Sequence, residues 1–176
     1  MSNKQTPHSE IRIGLAQYGK HNKPKAPDLS TLQHEDELRP LKWQHGVRRF
    51  PPKADHVTEH KKPPTSSIEL EDNPPFLWVA LKDRIKIVNE KANATKRLAL
   101  KKAKHTNLTG GSKAYSGGEM WITAPKTIVL NGCSGRYGPR TAEQLSEIVK
   151  VVRRSGWQVI SLGWDDETAR PVKYPR

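Results

Sequence analysis

The sequence predicts an α/β protein in which a small C-terminal βαβ unit follows one long basic amphipathic helix and a largely disordered, proline-rich N-terminal tail. Three observations predict this. Thr127, Ile128, Val129 and Leu130, and again residues 157–162, are short apolar runs of the buried-strand kind, with a helix-period segment between them. Residues 76–105 place apolar side chains on one stripe when laid out at about 100° per residue. Residues 1–75 hold Pro24, Pro27, Pro40, Pro51, Pro52, Pro63, Pro64, Pro74 and Pro75 and show no sustained period. Only 34% of the 176 residues are hydrophobic, below the roughly 45–50% usual for globular chains, so the composition also predicts that part of the chain stays unfolded.

In order, residues 1–73 read as the tail. Two pieces of it are candidates to order on a partner: residues 11–15, which alternate like a strand, and residues 38–50, where Leu41, Trp43, Val47 and Phe50 stand among Arg39, Lys42, Arg48 and Arg49. Residues 74–106 read as the basic helix, capped by Asp72 or Asn73 and opened by Pro74 and Pro75, whose missing N–H groups cost nothing at the first helical positions. Its apolar stripe is Leu77, Trp78, Leu81, Ile85, Val88, Ala92 and Ala99, with Lys86, Arg97, Lys101 and Lys104 opposite. Residues 107–120, with Gly110, Gly111, Gly117 and Gly118, read as a hinge. Residues 121–176 hold the βαβ unit: a strand over 121–130, a glycine-rich loop over 131–140, a helix over 141–155 and a strand over 157–162. Thr141 and Gln144 fit a capping box, Leu145, Ile148, Val149 and Val152 form the apolar stripe, and Gly156 ends the helix. Such a unit is right-handed with parallel strands.

The 31 Lys and Arg outweigh 18 Asp and Glu, a net charge of +13, which attracts polyanions. Residues 1–110 carry 21 basic against 12 acidic residues, so most of the excess is N-terminal. Aromatic residues among basic ones suit nucleic acid, because rings stack on bases while cations meet phosphates. Arg39, Lys42, Trp43, Arg48, Arg49, Lys86, Arg97, Lys101 and Lys104 are therefore the candidate nucleic-acid contacts, the last three forming an i, i+4, i+7 row. The expected function is a non-enzymatic nucleic-acid-associated protein, a component or accessory of a ribonucleoprotein or virion, with RNA preferred to DNA and room for a larger assembly. An acidic protein on which the tail and helix fold is the alternative partner. The polar start MSNKQTPHSE and the lack of any apolar run near ~20 residues predict a cytoplasmic protein with no membrane span.

In the βαβ unit, a glycine-rich loop before a helix gathers backbone N–H groups at the positive helix end, which favours phosphate. Gly132, Gly135, Arg136, Gly138, Arg140 and, beyond the second strand, Asp165 are the candidate phosphate or nucleotide contacts, although the spacing is neither the dinucleotide fingerprint nor a Walker loop. The run Lys126-Thr-Ile-Val-Leu-Asn-Gly-Cys-Ser, the helix over 142–154 and Ser155-Gly-Trp-Gln-Val-Ile-Ser-Leu-Gly-Trp-Asp-Asp-Glu resemble the opening of the donor domain of heptosyltransferase-type glycosyltransferases. The resemblance covers residues 126–167 and implies a Rossmann-like segment whose loop at 131–140 faces the diphosphate of a nucleotide sugar. Gly135-Arg-Tyr-Gly-Pro-Arg-Thr-Ala and Asp165-Asp-Glu-Thr-Ala are also similar to peptidoglycan-binding repeats, though a strand stands where those have a helix. No cofactor and no metal site is expected. His56 and His60 have metal-ligand spacing but lack a third ligand, and Cys133 reads as a small buried residue rather than a nucleophile.

Overall fold

The middle of the chain follows a period of two rather than 3.6. Phe76-Leu-Trp-Val-Ala80 and Ile85-Lys-Ile-Val-Asn89 are strands, not turns of one basic helix. Trp78 and Ala80, with Ile85 and Ile87 opposite them, enter one hydrophobic cluster, while Leu77, Val79 and Val88 enter another on the other side of the sheet. The helical stripe through Leu77, Trp78, Leu81, Ile85 and Val88 is a coincidence of spacing. β-Branched Val79, Ile85, Ile87 and Val88 fit a pleated surface better, and Lys82-Asp83-Arg84 supplies a turn, closed by the Leu81 amide on the Arg84 carbonyl at 2.8 Å.

The computed structural model describes residues 5–175; the first four residues of the expected tail and Arg176 lie outside the described residues. The elements are α1 (Pro7–Tyr18), β1 (Arg48–Arg49), β2 (Phe76–Ala80), β3 (Ile85–Asn89), β4 (Ser116–Ala124), β5 (Thr127–Leu130), α2 (Ala142–Arg153), β6 (Gln158–Ser161), β7 (Trp164–Asp165) and β8 (Arg170–Pro171). Six strands form a mixed sheet in the order β1-β3-β2-β4-β5-β6, antiparallel except for the parallel pair β5 and β6, which α2 connects. β7 and β8 make a separate two-stranded ribbon. The strand–helix–strand segment is thus one end of a larger sheet and not a small unit standing apart. Residues 121–130 are two strands, because the chain reverses at Pro125 and Lys126, where Lys126 takes a left-handed φ of 55°.

One face of the sheet is covered by α1 and α2, which bury Ile11, Leu15, Leu145, Ile148 and Val152 over Trp78, Met120 and Ile128. The other face is covered by irregular chain with short 3₁₀ turns, from 35–47 and 90–112, which brings Leu41, Val47, Ala103 and Leu108 onto Leu77, Val79 and Val88. Arg97, Lys101 and Lys104 lie in this cover and do not form a helical row.

The expected disorder of the N-terminal tail is likewise overturned. Thr6 caps α1 by accepting from the Ser9 amide at 3.2 Å, and Pro7 opens the helix. Beyond it, Lys25 bridges Ala114, the Leu41 amide bonds the Asn107 carbonyl at 2.8 Å, β1 joins β3, and the Lys61 amide bonds the Ile122 carbonyl at 3.0 Å. Past α1, prolines disfavour helix but not an extended path along a sheet, and widely spaced anchors such as Leu41, Val47 and Phe50 suffice to hold it. Of the expected hinge glycines, Gly110 and Gly111 take left-handed φ of 64° and 83°, and Gly117 and Gly118 meet a packing demand. Gly118 sits in β4, where a Cβ would overlap the Asn131 carbonyl oxygen and the Trp78 indole nitrogen. Among the described residues, no helix is long and apolar enough to cross a membrane.

Candidate nucleic-acid interface

A short 3₁₀ turn, Trp43–His45, ends at Gly46, whose φ of 94° reverses the chain into β1. The reversal brings Arg48 back over Trp43. The guanidinium carbon lies 4.0 Å from the ring centroid, and Nη1 donates to the Trp43 carbonyl at 2.7 Å and the Val47 carbonyl at 2.8 Å. The His56 ring meets Trp43 edge-on at 5.2 Å. Trp43 is nevertheless 57% exposed. A large aromatic ring held in place by an arginine and a histidine, yet open to solvent, is a preformed stacking surface.

Beside it runs a groove of about 560 Å³, lined among others by Gln44, His45, Arg48, His56, Asn93 and Arg97. A smaller hollow of about 160 Å³ shares His56, Phe76 and Asn89 with it and continues along the end of β2, β3 and β4 past Thr58, Lys61 and Trp121. The walls therefore offer cations, amide side chains and aromatic rings together. β1 is also the edge strand of the sheet, so this basic surface lies at an open margin.

Three of the nine candidate nucleic-acid contacts meet here: Trp43, Arg48 and Arg97. Lys42 and Lys101 are exposed elsewhere in the same cover, and Arg49 is half-buried in β1 opposite Lys86. Arg39 is exposed but pairs with Asp36 at 3.0 Å. Lys86 turns inward to the Leu108 carbonyl at 3.3 Å, and burial, with Arg84 nearby, lowers its pKa. Lys104 lines a different cleft. Gln44, His45, His56, Asn89 and Asn93 lie outside the sequence-derived set, and Asn89 and Asn93 reach the groove only once β1 pairs with β3.

The glycine-rich loop has its own geometry. Arg136 is buried and points away from solvent: Nη2 meets Glu37 Oε2 at 2.5 Å, and Nη1 donates to the Asp28 carbonyl at 2.7 Å and Thr31 Oγ1 at 3.0 Å. At the start of α2, the Arg140 amide donates to Gln144 Oε1 at 2.9 Å and the Gln144 amide to Thr141 Oγ1 at 3.1 Å, so side chains already satisfy these donors. The Arg140 side chain is exposed. Gly132 lies against Pro139, a Cβ at Gly138 would strike the Ser134 carbonyl, and Gly135 faces open space. Asp165, in β7, accepts from the Glu167 amide at 3.0 Å and shapes the turn into β8.

Behind this loop is a polar cleft of about 280 Å³, bounded by Glu37, Glu90, Glu119, His105, Cys133 and Arg136 among others. Glu119 projects from β4 and accepts from Asn131 Nδ2 at 2.9 Å; burial, with Glu90 nearby, raises its pKa. His105 is fully buried with Nε2 2.8 Å from the Gly118 carbonyl. A carbonyl only accepts, so Nε2 carries the hydrogen. Burial, outweighing that bond, lowers the His105 pKa to about 4. Burial and then the Glu119 charge push the Cys133 thiol up to about 12, and its Sγ lies 3.7 Å from the Pro171 carbonyl. Cys133 is a thiol and not a thiolate at neutral pH. Disulfide exchange with a chromogenic disulfide at pH 8 is accordingly expected to be at least about a hundredfold slower in the folded protein than in denaturant; equal rates would show an accessible, ionised thiol. Among the described residues, no group of three or more His, Cys, Asp or Glu side chains converges to hold a metal ion.

Compared with protein-family models, curated proteins and solved structures, the chain matches none.

Proposed function

We propose that the protein binds single-stranded nucleic acid, RNA foremost, along the groove beside Trp43. The observation that carries this reading is the exposed indole of Trp43 with Arg48 stacked 4.0 Å from its centre at the margin of a groove that also holds His45, His56 and Arg97. Each part has a task. The indole stacks on a base, Arg48 and Arg97 meet the flanking phosphates, and the amides of Gln44, Asn89 and Asn93 take sugar or base-edge hydrogen bonds. The net charge of +13 speeds the encounter and holds the backbone without regard to sequence. Single strands are favoured because a duplex hides the base faces that an indole stacks on.

The test is fluorescence anisotropy with labelled single-stranded RNA, single-stranded DNA and duplex at several salt concentrations. Binding is expected to weaken steeply with salt. Trp43→Ala should reduce affinity for single strands about 5- to 150-fold, the range expected from ~1–3 kcal/mol per stacked base. Arg48→Gln and Arg97→Gln should each lower the salt slope by about 0.7, one phosphate contact apiece. Undetectable binding at low ionic strength, or affinity indifferent to Trp43, would overturn the proposal.

A further inference from the structure

A further hollow, of about 410 Å³, opens beside the turn between β4 and β5, against the chain that follows β1. Its walls include Pro7 at the start of α1, Pro51 and Pro52, Val57, Ile122 and Trp157. Contacts within the fold fix these walls before any ligand arrives. His8 Nε2 lies 2.9 Å from the Pro51 carbonyl, which only accepts, so that nitrogen carries the hydrogen and ties α1 to the proline pair. The Lys61 amide donates to the Ile122 carbonyl at 3.0 Å and holds the preceding residues against β4. Trp157 meets the buried ring of Phe50 edge-on at 5.2 Å. Preformed, mostly apolar hollows of about 300–1,000 Å³ are the usual form of small-molecule sites.

The lining decides what fits. Among the described residues it contains no carboxylate, amide or hydroxyl side chain, so a nucleobase or sugar buried here would leave its polar edge unpaired. A hydrocarbon body has no such edge and gains from leaving water. The rim has a preference of its own. Lys53 and Lys126 are exposed there, with His8 and His60 beside them, and neither lysine has a carboxylate partner among the described residues. The two acids nearest in the chain meet other groups: Asp55 lies 3.9 Å from His56, and Glu59 lies 3.4 Å from Lys61. Unpaired cations around an apolar hollow attract an anionic head and repel a cationic one.

We propose that this hollow binds a free medium-chain alkyl carboxylate, its chain against Val57, Ile122, Trp157 and the prolines and its carboxylate at Lys53 and Lys126. The site goes beyond the nucleic-acid reading and does not depend on it.

Hexanoate, octanoate, decanoate and octylammonium are titrated separately into the full chain and followed by NMR chemical shifts. Each added CH₂ should tighten carboxylate binding about fourfold, the worth of one buried methylene, with shifts centred on residues 57, 122, 126 and 157. Octylammonium, with the same chain as octanoate and the opposite charge, should bind at least about fivefold more weakly than octanoate. Lys53→Gln combined with Lys126→Asn, which keeps a residue suited to the left-handed turn, should close that gap. Ala54→Trp, at an exposed position on the wall, should fill the hollow and abolish binding of all four. Absence of decanoate binding, affinity indifferent to chain length, shifts spread over the basic surface, or octylammonium binding as tightly as octanoate would each overturn the proposal. Displacement of decanoate by polyuridine would also overturn it, by assigning the hollow to the path of a nucleic-acid strand. Decanoate binding should be unchanged in Trp43→Ala, so failure of the carboxylate site and failure of the Trp43 groove are distinguishable.

Discussion

Truncation of Arg136 to Ala is expected to lower the unfolding free energy by about 3–5 kcal/mol, the cost of leaving a buried charge without its partner. Its side chain is 7% exposed and that of Glu37 is 1% exposed. Burial alone would raise the Glu37 pKa, but hydrogen bonds from Arg136 and the Gln33 amide, with the Arg136 charge, hold it below the ordinary carboxyl value. In Arg136→Ala the Glu37 carboxylate keeps only the Gln33 amide at 3.2 Å, and the Asp28 and Thr31 carbonyls lose the guanidinium that ties residues 28–37 to the glycine loop. Arg136→Lys keeps charge but not the planar fork, and should fall between wild type and Ala. Glu37→Leu combined with Arg136→Met removes both charges, so it should recover much of the stability lost by Arg136→Ala alone. Chemical denaturation of the four proteins measures each of these losses. A loss near zero in Arg136→Ala would show that the guanidinium is solvated and free to meet a ligand, the role first expected of it.

That inversion shows where sequence reasoning reached and where it stopped. The contacts along residues 127–161 are local: a strand, a capped helix and a parallel return are all written in consecutive residues, and Thr141 caps α2 as its spacing with Gln144 implies. Residues 76–105 failed because two periods fit the same short run, and what decides between them is non-local. β2 is a strand because β3 and β4 flank it, and Gly117 and Gly118, which look like a hinge in isolation, are small because Trp78 of β2 and Asn131 just past β5 press on β4. The N-terminal segment failed for a related reason. Prolines and sparse apolar residues are read as disorder, yet an extended cover needs only occasional anchors if a sheet already exists for it to lie on. The groove could be read only in part. Trp43 and Arg48 are five residues apart and visible as a pair, whereas Asn89 and Asn93 reach them through β1–β3 pairing and His56 through the turn at 54–56. Arg136 looked like a phosphate donor because a basic residue in a glycine loop is usually solvated; nothing near it in the chain announces Glu37, ninety-nine residues away.

The second large effect is a loss of stability in mild acid, carried by His105. Burial, with Lys104 and Arg136 adding positive charge nearby, lowers its pKa from an ordinary 6.5 to about 4 in the folded chain. The unfolded chain therefore binds a proton that the folded chain refuses. Its contribution is fully present above about pH 6.5 and is lost as the pH falls toward 4, amounting to about 3 kcal/mol at ~1.4 kcal/mol per pKa unit. Glu119 works in the opposite sense: its folded pKa is raised, so the folded chain takes up that proton first and gains stability as pH falls toward the ordinary carboxyl value. Glu37, with a lowered pKa, loses its contribution only below the ordinary carboxyl range. The wild-type curve alone would mix these effects. His105→Gln isolates one of them, because an amide can still donate to the Gly118 carbonyl but does not titrate. Denaturation at pH 7 and pH 4 should show the wild type losing about 3 kcal/mol more than His105→Gln over that interval. Parallel losses in the two proteins would mean that His105 is reached by water in the folded state and titrates as an ordinary histidine.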